Sequence, residues 1–155
     1  PMTIYGDWFL KLIDPKVEGI LRFSEFVNLV VVVAMMGKEE MLRFVFTQID
    51  KKEIGAIKVV DFSEAVMKIM ENDPGLLTYH RLNDMAEKFR NPDPYNDLYY
   101  PSFLKIYDMS KMWMNPLFRF QIRVRQAILG ETFWIKQQEV FMDAREKLKV
   151  KRILF

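Results

Sequence analysis

Apolar residues recur along the chain in paired segments, each pair divided by a short polar stretch. Phe9, Leu10 and Ile13 lead into one such stretch, and Phe26, Leu29, Val30 and Val33 leave it. Leu42, Val45, Phe46 and Ile49 lead into a second, and Phe62, Val66, Ile69 and Met70 leave it. Spacing of three and four residues puts these side chains on one face of a helix, so the pattern predicts four helices in two helix–loop–helix units. The polar stretches are copies of one another. In DPKVEGILRFSEF, the residues Asp14, Gly19, Leu21, Glu25 and Phe26 stand in the order and spacing of Asp50, Gly55, Ile57, Asp61 and Phe62. A fainter third copy, NPDPYNDLYYPSF, places Asn91, Asn96, Leu98 and Phe103 at the same points. Asn tolerates the left-handed backbone that glycine supplies in the other two. Pro92, Pro94 and Pro101 equally suit an ordinary proline-rich loop, but the helical segments Leu76–Phe89 before it and Phe103, Leu104, Ile106 and Tyr107 after it favour a third unit.

A twelve-residue calcium loop draws ligands from positions 1, 3, 5, 7, 9 and 12, with glycine at position 6 for the sharp turn. Counted from Asp50, Gly55 falls at position 6 and Asp61 at position 12, but Lys52, Ile54 and Lys58 hold positions 3, 5 and 9. Counted from Asp14, the carboxylates Asp14, Glu18 and Glu25 remain, with Lys16 and Arg22 in ligand positions. The third copy offers Asn91, Asp93 and Asp97, with Tyr95 and Tyr99 between and Ser102 at the end.

On these residues the chain resembles the EF-hand superfamily, as degenerate copies, and more narrowly its calcineurin B and calmodulin-like branch. The segment from Gly19 to Met70, with KEEMLRFVF as an entry helix, looks like the second and third hands of such a protein. The resemblance covers residues 5–107 and implies an all-α fold of two to three degenerate EF-hands. We expect a domain at 1–107 with loops at 14–25, 50–61 and 91–102, followed by a basic helical extension at 108–155. Asp14, Glu18, Glu25, Asp50 and Asp61 are the candidate calcium ligands, and their loops are expected to stay empty: no cofactor is expected. Affinity falls with the number of ligand charges, and here cations stand among them. Lys16, Arg22, Lys52 and Lys58 are expected to neutralise the carboxylates in place of the ion. Leu21, Ile57 and Leu98 are expected to pair loop to loop as short strands.

Composition narrows the function further. The 155 residues are 50% hydrophobic, enough to fill a core, and include no cysteine and one histidine, His80. Thiol nucleophiles, disulfides and the usual zinc sites are therefore excluded or nearly so, and no enzyme is expected. Glu39 and Glu40 fit a solvated helix start better than acid–base catalysis. The longest apolar run, Leu29–Met36, is far short of a membrane span. The opening residues lack the pattern of a signal peptide, so a cytoplasmic protein is expected.

The tail is read last. Asn115 and Pro116 resemble a helix cap and first turn, and Gly130 a stop, so a helix is expected between them. The alternation of Phe118, Phe120, Ile122 and Val124 with polar residues keeps a strand open as the alternative. The segment from Glu131 to Phe155 reads as an amphipathic helix with Phe133, Trp134, Val140, Phe141, Ala144 and Leu148 on its apolar stripe. From Pro116 onward nine Lys and Arg face four Asp and Glu, a net charge of +5 on a chain of total charge +2. An acidic body with a basic tail suits an acidic protein partner, a microtubule wall being one, and nucleic acid is not expected. Two core-packing helices are the alternative. Trp113, Phe118, Arg119, Arg123, Arg125, Trp134, Phe141, Lys149, Lys151 and Arg152 are the candidate partner-binding residues. By resemblance we expect a non-catalytic, calcium-independent adaptor or structural subunit of the ciliary or microtubule cytoskeleton. The alternative is a calcium-sensing regulatory subunit of an enzyme.

Overall fold

The structure, a computed structural model, describes residues 4–12, 20–70, 76–90 and 97–153, with the backbone alone for 4–5, 70, 76–78 and 146–153. The described residues form an all-α fold of eight helices with one small antiparallel sheet. In chain order these are α1 (Ile4–Lys11), α2 (Phe23–Met35), α3 (Lys38–Ile49), β1 (Ala56–Lys58), α4 (Val59–Met70), α5 (Leu76–Phe89), β2 (Asp97–Tyr99), α6 (Tyr100–Met109), a 3-10 turn (Lys111–Met114), α7 (Asn115–Ala127) and α8 (Glu131–Ile153). No described helix is long and apolar enough to cross a membrane.

The chain divides into two compact units. The first comprises Pro1–Trp8 and Lys38–Phe118. Within it, α3–β1–α4 and α5–β2–α6 are two helix–loop–strand–helix units joined strand to strand, with Ile57 opposite Leu98. Both side chains are fully buried, so the pairing is fixed by apolar burial as well as by the backbone ladder. Leu21, expected to share in such pairing, belongs to neither strand. Beneath the sheet Phe62, Phe103 and Trp113 meet edge to face, with Trp113 5.7 Å from Phe62 and 5.8 Å from Phe103. Phe46 closes the cluster 5.4 Å from Phe103. Edge-to-face rings align the positive rim of one with the negative face of the next, which gives the packing a direction that aliphatic contact lacks.

The second unit comprises Phe9–Gly37 and Arg119–Phe155. Its core is Val30 and Ala34 of α2 against Trp134 of α8, flanked by Met35, Val124 and Ile128. The last carbonyls of a helix have no partner within it and must find one elsewhere. Those of α2 are all met. Met36 N–H donates to the Val32 carbonyl. Gln121 Nε2 donates to that of Val33, Arg125 Nε to that of Ala34, and Gln138 Nε2 to that of Met35. Gln121 and Gln138 both donate to the Met36 carbonyl as well. A guanidinium at this end also opposes the partial negative charge of the helix terminus.

The expected division at 107/108 falls inside the first unit, within α6 itself. α2 belongs with the tail instead, because Val30 and Ala34 on its apolar face and its open carbonyls are covered by α7 and α8. Residues 116–127 are helical, not strand. Asn115 is not a cap, however: its φ of −55° and ψ of −39° are helical, since the 3-10 turn runs straight into α7. After Ala127 the chain reverses through Leu129 and Gly130, both in the left-handed region.

Candidate functional site

The loop between α3 and β1 is built around Asp50. Its Oδ2 accepts the N–H of Gly55 at 2.7 Å and its Oδ1 the N–H of Ile54 at 3.2 Å. The turn needs positive φ at Glu53 (54°) and Gly55 (77°), which aims successive N–H groups inward at the carboxylate. At the far end of the loop Asp61 is held by Lys51, whose Nζ lies 2.6 Å from Oδ1, with Glu64 at 3.5 Å on the same ammonium. The hydrogen bond to Asp61, and then its charge, raise the Lys51 pKa above the ordinary lysine value.

The cation that neutralises this loop is therefore Lys51. Among the described residues neither Lys52 nor Lys58, which the sequence suggested, forms an ion pair. Lys51 is position 2 of the loop, between two ligand positions, and its long stem reaches to Asp61 at position 12. Asp50 and Asp61 are thus engaged by the chain's own donors.

The other candidate ligands are placed as follows. Asp14, Glu18 and Lys16 lie outside the described residues, as do Asn91 and Asp93 of the third copy. Glu25 accepts the backbone N–H of Arg22 at 2.8 Å and so serves the start of α2. Asp97 begins β2, buried, with Oδ1 lacking a hydrogen-bond partner among the described residues. Among those residues no three acidic or histidine side chains converge as a metal site would require.

The candidate partner-binding residues divide into three groups. Trp113 (1% exposed), Trp134 and Arg125 are buried, so each is a packing or capping residue and none faces a partner. Burial and hydrogen bonding to Ala34 explain Arg125, while the Trp134 indole N–H donates to the Ile128 carbonyl. Phe118 is half-buried, its ring against Tyr107. Arg119, Arg123 and Phe141 remain at the surface. The side chains of Lys149, Lys151 and Arg152 lie outside the described residues.

Phe141 sits in the most unusual stretch. From Glu139 to Arg145 every residue of α8 is exposed, with Val140 at 65%, Phe141 at 53% and Met142 at 53%. Over nearly two turns of helix no side chain is buried. An isolated helix of this length is marginal in water without a partner for its apolar side chains.

Sequence reasoning missed Gln121 and Gln138, the two amides that cap α2. One signal was available: Gln121 interrupts the stripe formed by Leu117, Val124 and Ile128, and a polar side chain on a stripe points at a polar group in the core. No protein-family model and no curated protein matches the sequence.

Proposed function

We propose that this chain is a non-catalytic adaptor or structural subunit, built on degenerate EF-hands and indifferent to calcium, whose α8 is a docking element in a larger assembly. The observation that carries the reading is the exposed length of α8 from Glu139 to Arg145, anchored at its root by Trp134 and Gln138 and bearing Val140, Phe141 and Met142 on its surface. A held root followed by a helix with exposed apolar side chains is a form in which helices enter partner grooves. The qualifier of calcium indifference is supported by the 50–61 loop, where Asp50 is closed by backbone donors and Asp61 by Lys51. Pairing of β1 with β2 between two helix–loop–helix units is the arrangement that coupled EF-hands use, which supports counting 50–61 and 91–102 as a pair. The cytoskeletal and ciliary address follows from family resemblance, and the basic tail suits an acidic partner surface there.

The test is a calorimetric titration of the purified chain with calcium to millimolar concentration, in the presence of magnesium, with circular dichroism followed alongside. No heat and no change in helix content is the expected result. Micromolar binding with helix rearrangement overturns the reading and makes the chain a calcium-sensing regulatory subunit.

A further inference from the structure

The reversal between α7 and α8 is made by two residues in the left-handed region, and one of them is a leucine. Leu129 has φ 65° and Gly130 has φ 82°. That region is open to glycine but strains any residue with a Cβ. The Leu129 side chain is 69% exposed, so its own packing does not offset the strain.

The backbone beside it has two ways to be satisfied. In the reversed chain the Ile128 carbonyl accepts the Trp134 indole N–H. In an unbroken helix the same carbonyl would accept the backbone N–H of Thr132, four residues on. Turn and straight helix are therefore alternative settings of one stretch of chain.

The exposed apolar side chains favour the straight one. Ile122 on α7, Leu129 in the turn, and Phe133 and Val140 on α8 are all exposed, and the turn divides them among three elements. Continued at about 3.6 residues per turn, the same four fall within an arc of about 40° on one helix, with Gln126 and Lys136 at its edges. Straightening also lifts Trp134 off Val30 and Ala34, and Gln138 off the carbonyls of Met35 and Met36. A surface that fits these groups of α2 is carried by another α8.

We infer that α8 is exchanged between two copies of the chain. α7, Leu129, Gly130 and α8 run on as one helix, and each α8 takes, on the other copy, the place it holds in the closed chain. Trp134 again covers Val30 and Ala34 and Gln138 again caps α2, now between copies. The two stripes from Ile122 to Val140 cross near Leu129 on a two-fold axis, a contact that the closed chain lacks. Exchange of an identical element remakes existing contacts, so it closes at two chains, and a strained connection favours it. The inference stands on the turn and not on the adaptor reading, and either can fail alone.

Two substitutions at the turn test it with opposite sign. A Cβ at Gly130 would meet nothing within 4 Å, so Gly130→Ala burdens the closed turn through its φ alone, while in the straight helix Ala is favoured over Gly. Leu129→Gly does the reverse. Each dimer holds two such turns, so a change of roughly tenfold at one turn becomes roughly a hundredfold in the dissociation constant. Sedimentation velocity across the micromolar range should show wild type shared between the 18.6 kDa chain and a species of twice that mass, G130A moved toward the dimer and L129G toward the monomer. Circular dichroism should stay helical in all three; should one variant lose helix, the other decides.

The place of α8 is read separately. The chain has no native cysteine, so Met35→Cys with Gln138→Cys reports the α2–α8 contact alone. On a non-reducing denaturing gel the oxidised dimer fraction should be linked between chains and the monomer fraction within one. Wild type and G130A that both stay monomeric, a dimer whose dissociation constant ignores both turn substitutions, or a dimer fraction whose disulfide closes within each chain overturns the inference.

Discussion

Phe62 and Phe103, the residues that follow the last position of the second and third loops, meet edge to face with ring centroids 6.3 Å apart at 89°. Their counterpart in the first copy, Phe26, is at the surface. The repeat therefore places equivalent side chains in unlike settings: two share one core, and the third stands on α2 in the other unit. Truncating Phe103 or Phe62 to Ala should cost about 3–5 kcal/mol in urea-unfolding stability, since each removes a fully buried ring. Phe26→Ala in the monomer should stay within about 0.5 kcal/mol. A double-mutant cycle on Phe62 and Phe103 should return a coupling of about 0.5–1.5 kcal/mol. Equal costs at Phe26 and Phe62 would show that the first copy shares the core after all.

The Lys51–Asp61 pair gives the loop a pH signature. The Lys51 pKa is raised in the folded chain, so the pair's contribution is fully present below the unfolded lysine value of 10.5 and is lost as pH rises through the higher folded value. The difference in urea midpoint between wild type and Lys51→Gln should hold constant from neutral pH to about pH 10 and shrink above it. The pair is exposed to water, so the difference itself should be small. A difference that persists undiminished in strong alkali would mean that Lys51 acts through its stem and not its charge.

The same loop should become a calcium site when its missing oxygens are returned. Lys52→Asp and Ile54→Asp supply positions 3 and 5, Asp61→Glu supplies the bidentate end, and Lys51→Gln removes the resident cation. The fourfold variant should bind calcium with an affinity readable by titration calorimetry, and Lys51→Gln alone should not. Calcium binding by the single variant would show that one ammonium, not the absence of ligands, keeps the wild-type loop closed to the ion.

The parts of this architecture that were legible in the sequence are those that repeat locally. Apolar spacing located α2 to α6, and Ile57 and Leu98 marked the strands that pair, because a buried apolar residue at the same point of each repeated loop leaves a direct trace. The partition of α2 was not legible. Its stripe is equally apolar along its length, and only the contacts of Trp134, Gln121 and Gln138, brought from about a hundred residues away in sequence, decide which half is covered. Arg125 was misread for a related reason: in sequence it is one of three spaced arginines, and only the orphan carbonyl of Ala34 separates it from Arg119 and Arg123. Lys51 was overlooked because it lies outside the ligand positions, although a lysine stem can span the loop from there.

The cap on α2 makes a sharp distinction among those arginines. Arg125 donates to the Ala34 carbonyl from a buried position, and burial lowers its pKa from the ordinary arginine value. Arg125→Met keeps the apolar bulk but leaves that carbonyl without a donor, so a loss of about 1–3 kcal/mol is expected. Arg119→Met and Arg123→Met should stay within about 0.5 kcal/mol, as both are exposed. Chemical denaturation of the three variants ranks them. Equal effects would mean that charge on α7, and not the cap, is what stabilises the unit.

Removing residues 139–155 should leave the fold of the rest of the chain in place. The truncated chain keeps Trp134 on Val30 and Ala34, and it keeps Gln138 on the carbonyls of Met35 and Met36. The segment removed contributes exposed side chains from Glu139 to Arg145, so no described core contact is lost with it. Its unfolding midpoint in dilute solution should match that of the full-length monomer, while Trp134→Ala in the same background should cost about 3–5 kcal/mol. A truncated chain that is less stable would mean that the distal helix folds back onto its own unit, and Val140, Phe141 and Met142 would then have their partners within the same molecule.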